Sequence, residues 1–254
     1  MSSIAKQINK VAEITLLFWL MKIVATTLGE TFGDFLSMTL DLGYLAALCI
    51  TLGLFGVLVA LQISAGKYIP ILYWLVIIAT TTLGTEISDF IDRSLHLGYS
   101  LGSLLLVTLL AITLFLWFKK YRNLEVYPIN QRTKEFYYWS AILFSNSLGT
   151  AFGDFLGERF GLSYLQGAMI TGAIIVVVVL LHYFTKINHI VLFWIAFIFT
   201  RPFGATFGDF LTKPVKSGGL DLGTLNASLV SMAIMCLLMY VSHRQHLRSS
   251  SQGK

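Results

Sequence analysis

The sequence predicts an all-α membrane protein, an eight-span transmembrane helical bundle of four parallel two-helix repeats with pseudo-symmetry about the membrane normal. Composition is the first observation behind this prediction, because 56% of the 254 residues are hydrophobic and only 12% are charged. Soluble domains carry about 25% charged residues. Internal repetition is the second observation, since one short motif occurs four times within apolar segments. Self-similarity at a fixed spacing is typical of repeat architectures.

The repeated motif combines glycines, an aspartate and a preceding tryptophan. Its first copy reads Gly-Glu-Thr-Phe-Gly-Asp-Phe-Leu over residues 29–36, and the other copies occupy residues 84–91, 149–156 and 204–211. In every copy a tryptophan lies ten residues before the first glycine and fifteen before the aspartate. The tryptophans are Trp19, Trp74, Trp139 and Trp194, and the aspartates are Asp34, Asp89, Asp154 and Asp209. This constant spacing indicates four equivalent structural units.

Eight apolar segments approach the length of about 20 residues that a transmembrane helix needs. They cover residues 14–36, 42–64, 69–91, 97–118, 136–156, 162–185, 189–211 and 220–242. Each repeat is therefore a pair of spans, so all four repeats enter the membrane in the same direction. Repeats 1 and 2 occupy residues 1–118, a basic linker 119–134, repeats 3 and 4 residues 135–242, and a basic tail 243–254.

Basic residues outside the spans predict the orientation. The amino terminus, the loops after spans 2, 4 and 6 and the tail together hold twelve Lys and Arg residues, whereas the loops on the other side hold four. Because cytoplasmic loops carry an excess of Lys and Arg, we expect both termini in the cytoplasm and the four motifs near the outer face. Cys49 and Cys236 lie within spans without CxxC spacing, so we expect packed core residues and no disulfide or metal site.

Polar residues recur at every fourth position of the odd-numbered spans, which puts them on one helix face. Unsatisfied polar groups in hydrocarbon are costly, so this face is expected to line the bundle interior. The expected substrate or ion site around a central axis comprises Glu30, Asp34, Glu86, Asp89, Asp154, Asp209, Thr26, Thr81 and Asn146. The aspartates have a second interpretation, because residues near span ends also serve as caps in interfacial water.

Four charged residues lie deepest in these spans. Glu30 and Glu86 are the candidate metal ligands, because oxygen ligands favour hard cations such as Mg²⁺, Mn²⁺ and Ca²⁺. Lys22 and Arg201 are the candidate counter-ions or coupling residues, since a buried charge needs a partner. We expect both to pair with carboxylates of neighbouring repeats.

The motif glycines and the tryptophans each have two interpretations. Gly29 and Gly33 and their equivalents allow close helix packing, or alternatively they mark unwound helices whose carbonyls line a site. Pro202 favours such a break in the fourth repeat. The tryptophans suit an interfacial aromatic belt or simple packing, or alternatively a gate on the cytoplasmic side.

These features predict a transporter of a small cation, preferably a proton-coupled hard metal ion. No enzymatic activity and no cofactor are expected, because no catalytic motif is present, and a divalent cation is the expected substrate. The expected partners are the lipid bilayer and a small ion or solute, without nucleic acid, for a monomer or homodimer. One alternative is transport of a small anionic or zwitterionic organic solute, with Lys22 and Arg201 as ligands. The other is a non-transporting scaffold or sensor.

From about residue 11 to residue 241, the chain resembles a bacterial family of four-repeat integral membrane proteins of unknown function. The placed tryptophan and two transmembrane segments of each repeat carry the resemblance, together with the opening Val-Ala-Glu-Ile-Thr-Leu-Leu-Phe-Trp-Leu-Met-Lys-Ile at residues 11–23. The second repeat departs from the pattern, because Glu86 does not align with Glu30. The resemblance implies a multi-pass protein of the bacterial cytoplasmic (inner) membrane, and it implies no particular activity.

Overall fold

The computed structural model describes residues 9–251, with side chains described as far as residue 245. Residues 1–8 and 252–254 lie outside the described residues, so the predicted tail 243–254 is described only in part. The described chain forms eight α-helices and no β-strand: α1 Leu16–Asp34, α2 Gly43–Ser64, α3 Pro70–Asp89, α4 Gly98–Tyr121, α5 Arg132–Phe160, α6 Tyr164–Phe184, α7 His189–Thr212 and α8 Thr224–Ser251. A π-helical turn follows α1 at Phe35–Thr39 and α3 at Phe90–Ser94, and a short 3-10 turn occupies Val215–Ser217.

Each predicted span corresponds to one of these helices. Seven of the helices in the described range are long and apolar enough to cross a membrane, as in a multi-pass membrane protein. The eighth, α5, is 29 residues long but more polar than the others. Its polar residues Ser145, Asn146 and Thr150 are fully buried. These polar side chains of α5 therefore face the interior of the bundle.

The odd-numbered helices form a closed inner ring. Helix α1 packs against α3 and α7, and α5 packs against the same two helices. The even-numbered helices lie outside this ring, with α2 on α3, α4 on α5, α6 on α7 and α8 on α1. Each outer helix thus covers the inner helix of the following repeat, and α8 closes the circle on the first. A single repeat could not bury its polar face alone.

The outer helices present an apolar surface to the surroundings. Fewer than a third of the residues in their most apolar windows are buried, compared with more than half in α1, α3 and α7. Cys49 on α2 and Cys236 on α8 are exposed free thiols. The prediction that they are packed core residues is wrong, because both helices belong to the outer layer and turn these positions outward.

The first glycine of each motif lies at a close contact between two inner helices. A Cβ atom added to Gly29 would overlap Thr81, and one added to Gly204 would overlap Thr26. The equivalent pairs are Gly84 with Asn146 and Gly149 with Arg201. The helices run unbroken through these glycines, and α7 continues through Pro202. The alternative of unwound motif helices is therefore wrong, and the glycines serve helix packing.

Replacing Gly29 or Gly204 by alanine is expected to lower the free energy of unfolding by about 1–3 kcal/mol, because the new methyl group forces two packed helices apart. Thermal unfolding of the purified protein in detergent measures this change. Gly53→Ala is the matched control, since open space surrounds Gly53 on α2 and alanine is the better helix former. Equal stability of Gly29→Ala and Gly53→Ala would contradict the packing role.

One end of the inner ring carries the buried indoles of Trp74, Trp139 and Trp194, and we call it the tryptophan end. The residues just before the four motif tryptophans are also aromatic and buried, namely Phe18, Tyr73, Tyr138 and Phe193. The hydroxyls of Tyr73 and Tyr138 share a hydrogen bond that links α3 to α5. These rings pack against one another inside the bundle, so the three buried indoles do not form a surface belt.

The described start of the chain covers the tryptophan end. Residues 9–12 are buried, and the ammonium of Lys10 pairs with Glu135 at the start of α5. The same ammonium donates to the carbonyl of Ile63 at 2.9 Å, and the backbone N–H of Lys10 donates to the carbonyl of Ile129 at 2.9 Å. The segment therefore ties α2, α5 and the central linker together below the aromatic layer.

Candidate functional site

The inner ring gathers the predicted polar stripes in its interior. All predicted site and counter-ion residues are buried except Asp154, whose side chain is 15% exposed. Towards the tryptophan end lie Lys22 and Asn146, followed by Arg201 and Glu30. The four motif aspartates lie at the opposite end, which we call the motif end.

Lys22 is buried without a carboxylate partner among the described residues. Its ammonium donates to Oδ1 of Asn146 at 2.9 Å and lies 4.1 Å from the ring centroid of Phe197. The amide of Asn146 in turn donates to Thr80 at 3.1 Å. The expectation of a carboxylate partner for Lys22 is wrong, because the nearest position on α5 carries an amide. An amide and an aromatic face stabilise the ammonium instead.

Arg201 joins three of the four repeats. Its guanidinium donates to Oε2 of Glu30 at 2.8 Å and to the hydroxyl of Thr85 at 2.5 Å. The hydroxyl of Thr85 also donates to Oε2 of Glu30 at 3.3 Å. Because Arg201 is fully buried, the pair is shielded from water, and its attraction exceeds that of a surface ion pair. One carboxylate of the site is thus neutralised by a fixed internal cation.

Two basic residues at the motif end divide the four aspartates into pairs. Arg93 bridges Asp89 at 3.1 Å and Asp154 at 3.6 Å. Lys213 bridges Asp34 at 2.5 Å and Asp209 at 3.2 Å. Each basic residue lies four positions after the aspartate of its own repeat and reaches the aspartate of the next repeat. The aspartates are therefore paired inside the protein, and they are not caps solvated by interfacial water.

Arg93 and Lys213 are two of the four basic residues that the sequence places in loops on the motif side, and no site role was predicted for them. The spacing of four positions from Asp89 to Arg93 and from Asp209 to Lys213 could have indicated one ion pair of each bridge, because residues four positions apart lie on the same face of a helix. The partners on the neighbouring repeats could not be read from spacing. Lys213 and Asp34, for example, are 179 positions apart in the chain.

Three carboxylates converge at the junction of the first and fourth repeats. One oxygen each from Glu30, Asp34 and Asp209 lies within 4.8 Å of the others, and all three residues are buried. We call this group the carboxylate triad. Glu86 lies beside it, with Oε1 pointing towards Gly33. Glu86 is fully buried, and neither of its oxygens has a hydrogen-bond partner.

The four repeats match the Repeat of Unknown Function (DUF347) at residues 17–68, 72–123, 137–188 and 192–247. The chain belongs to the DUF347 family. This confirms the resemblance to a four-repeat family of unknown function. Comparison with curated proteins and with solved structures gave no match.

The four DUF347 repeats place different chemistry at equivalent positions. The Glu30 position is threonine in repeats 2 and 3 and alanine in repeat 4, so only repeat 1 offers a carboxylate there. The position four residues after the aspartate holds Met38, Arg93, Glu158 and Lys213 in order. The carboxylate triad is therefore built from repeats 1 and 4 alone.

A cavity of about 510 Å³ borders two of the motif aspartates, Asp154 and Asp209, at the motif end of the DUF347 repeats. Its lining includes Arg93, Tyr99, Asp154, Tyr164, Asp209 and Lys213. The predicted site residues and their basic partners comprise six carboxylates, from Glu30, Glu86 and the motif aspartates, and four basic groups, from Lys22, Arg93, Arg201 and Lys213. Buried Asp92 beside Arg93 adds a further carboxylate. When fully ionised, the ten groups of the site alone lack two positive charges. Protons or bound cations can supply them.

Proposed function

We propose that this protein is a transporter of a small cation in the bacterial cytoplasmic membrane, without enzymatic activity. In this proposal all eight helices span the membrane, with both termini in the cytoplasm. The four repeats run parallel about an axis along the membrane normal. The cyclic order of helix packing supports this arrangement, because each outer helix covers the next inner helix in the same sense. Since one chain closes the ring, we propose that a monomer contains the complete pathway.

The observation that carries the proposal is the position of Glu86 beside the carboxylate triad. A fully buried, charged carboxylate with two unpartnered oxygens raises the free energy of the folded protein. A bound cation or a proton would remove this cost. Glu30, Asp34 and Asp209 supply further oxygens within reach of one ion. Oxygen-only ligation favours a hard cation such as Mg²⁺, Mn²⁺ or Ca²⁺. The proposed ligands are therefore the predicted pair Glu30 and Glu86 together with Asp34 and Asp209.

The two ends of the bundle support alternating access to this site. At the motif end, the 510 Å³ cavity reaches Asp209, one member of the triad. At the tryptophan end, four buried aromatic rings block access to the site, and residues 9–12 cover these rings. The rings are those of Phe18, Tyr73, Tyr138 and Phe193. In this proposal, the structure corresponds to a state open at the motif end. Release to the other side requires these aromatic rings to separate.

Proton coupling follows from the same groups. Protonation of the triad or of Glu86 removes the negative charge that attracts a metal ion, so protons and the cation compete for the site. Import of a proton would therefore drive release of the cation.

An anionic or zwitterionic organic solute is the second candidate substrate. The observation in its favour is that the cavity presents Arg93 and Lys213 as well as Asp154 and Asp209. A volume of about 510 Å³ also suits a small organic molecule. Against it, both basic residues are already paired with aspartates, so an anion would have to replace these carboxylates.

Thermal unfolding in detergent, with divalent cations, monovalent cations and small organic ions at two pH values, tests this proposal. We expect Mg²⁺, Mn²⁺ or Ca²⁺ to raise the unfolding temperature at neutral pH. The shift should disappear at low pH and in Glu30→Gln. Exposed Glu125 provides the control, since Glu125→Gln should retain the shift. Stabilisation by an organic ion and by no metal would contradict the metal proposal and favour the second candidate.

A further inference from the structure

The ammonium of Lys213 lies in the carboxylate triad itself. It is 2.5 Å from Asp34 and 3.2 Å from Asp209, and these are two of the three triad members. The side chain is therefore a cation bound where the proposed substrate would bind.

Lys213 is held in place less firmly than Arg93, its counterpart in the second repeat. Besides its two aspartates, Arg93 donates to the hydroxyl of Tyr44 at 3.2 Å and lies over the Tyr44 ring. The ammonium of Lys213 has only its two carboxylates among the described residues. A lysine is a compact charge on a flexible stem, whereas a guanidinium makes several oriented hydrogen bonds at once. Lys213 is thus the more easily exchanged of the two cations.

The surroundings let the Lys213 side chain move while its backbone stays fixed. The backbone N–H of Lys213 donates to the backbone carbonyl of Asp209 at 2.8 Å, and the backbone carbonyl of Lys213 accepts from the N–H of Asp221 at 3.0 Å. The side chain is 23% exposed and borders the 510 Å³ cavity. A change of side-chain rotamer is enough to take the ammonium from the triad into this cavity, and such changes are fast.

We propose that Lys213 is a tethered competitor that occupies the cation site and leaves it when the transported ion binds. The incoming ion takes the oxygens of Asp34 and Asp209, and the ammonium of Lys213 moves into the water of the cavity. This inference rests on the proposed function. It makes Lys213 a specificity-determining residue, because only an ion that attracts the carboxylates more strongly than an ammonium can displace it. Doubling the charge of an ion doubles its Coulomb attraction, so divalent cations are favoured over Na⁺ and K⁺.

Lys213→Gln is the variant that tests this role, with Lys216→Gln as the matched control. Lys216 is exposed in the same loop, so its replacement removes one charge near the cavity without touching the triad. Titrations with Mn²⁺ and with Na⁺, followed by thermal unfolding, give the apparent affinities. We expect Lys213→Gln to bind Mn²⁺ about tenfold or more tightly than the wild type. When the Lys213 ammonium leaves the cation site free only about a tenth of the time, the apparent affinity of the wild type for Mn²⁺ is lowered about tenfold. We also expect Na⁺ to stabilise this variant and not the wild type.

Chemical labelling of the wild-type protein tests displacement without any substitution. Acetylation by an amine-reactive ester, read by mass spectrometry, reports how often the Lys213 amine is free in the cavity. We expect labelling of Lys213 to increase several-fold when Mn²⁺ is added. Labelling of exposed Lys216 should stay the same.

The outcomes separate this inference from the proposed function. If Mn²⁺ stabilises the wild type while Lys213→Gln binds it no more tightly and Lys213 labelling does not rise, Lys213 is a structural clamp and the inference is overturned. The proposed function would then stand. If no cation stabilises either the wild type or Lys213→Gln, both are overturned. If Lys213→Gln does not fold, the labelling result on the wild type decides.

Discussion

Replacing Arg201 by methionine is expected to lower the free energy of unfolding by about 3–5 kcal/mol, because it leaves the buried carboxylate of Glu30 without its cation. Arg201 also donates to the hydroxyl of Thr85, so two buried acceptors lose a charged donor together. Equilibrium unfolding of the purified protein in detergent measures the loss. The exposed Arg159 on α5 supplies the control, and Arg159→Met should change stability by less than about 1 kcal/mol.

A second substitution separates the charge of Arg201 from its packing. In the double variant Arg201→Met, Glu30→Gln no buried charge is stranded, so most of the lost stability should return. If the double variant is as unstable as Arg201→Met alone, the guanidinium contributes mainly through shape. The ion pair would then not account for the packing of α1 against α7.

Replacing Glu86 by glutamine is expected to abolish both cation-dependent stabilisation and transport in proteoliposomes, while the protein without cation stays as stable or becomes more stable. The physical reason is that both Glu86 oxygens are buried without a hydrogen-bond partner. A neutral amide removes the cost of an uncompensated buried charge. It also removes the negative charge that attracts the ion.

The distinctive outcome is that the response to the cation is lost while the stability of the cation-free protein is kept or increased. A structural carboxylate would lose stability on conversion to the amide, whereas a ligand-binding carboxylate loses only the response to the ion. Glu125→Gln serves again as the control, because Glu125 is exposed outside the inner ring. Unchanged transport in Glu86→Gln would place the site elsewhere and would contradict the proposed function.

Much of the fold could be predicted because local sequence controls it. The tryptophan-to-aspartate spacing identified four units, and the apolar segments located the helices. The positions of Thr26, Glu30 and Asp34 on one helix face implied that they point inward, because lipid does not satisfy polar groups. Burial of all three agrees with that expectation. Helix α5 was also predicted, although its buried polar residues make it less apolar than its neighbours.

The details of the site could not be predicted in the same way. Whether Lys22 would meet a carboxylate or an amide depended on the rotation of α1 relative to α5. The role of Gly29 depended on where Thr81 of the next repeat lies. Each of these contacts joins residues on different helices, and spacing within one repeat carries no information about the rotation or height of its neighbour.

The sequence by itself determined that this protein has four helical repeats, each with an inward polar face and a terminal aspartate, because periodicity and hydrophobicity act along the chain. Only the tertiary structure decided the cyclic order of the helices and the carboxylate triad between α1 and α7. It also decided that Arg93 and Lys213 divide the aspartates into two pairs. The reason is that electrostatic pairing acts through space and selects partners from distant repeats, and here it makes four similar repeats into one asymmetric site.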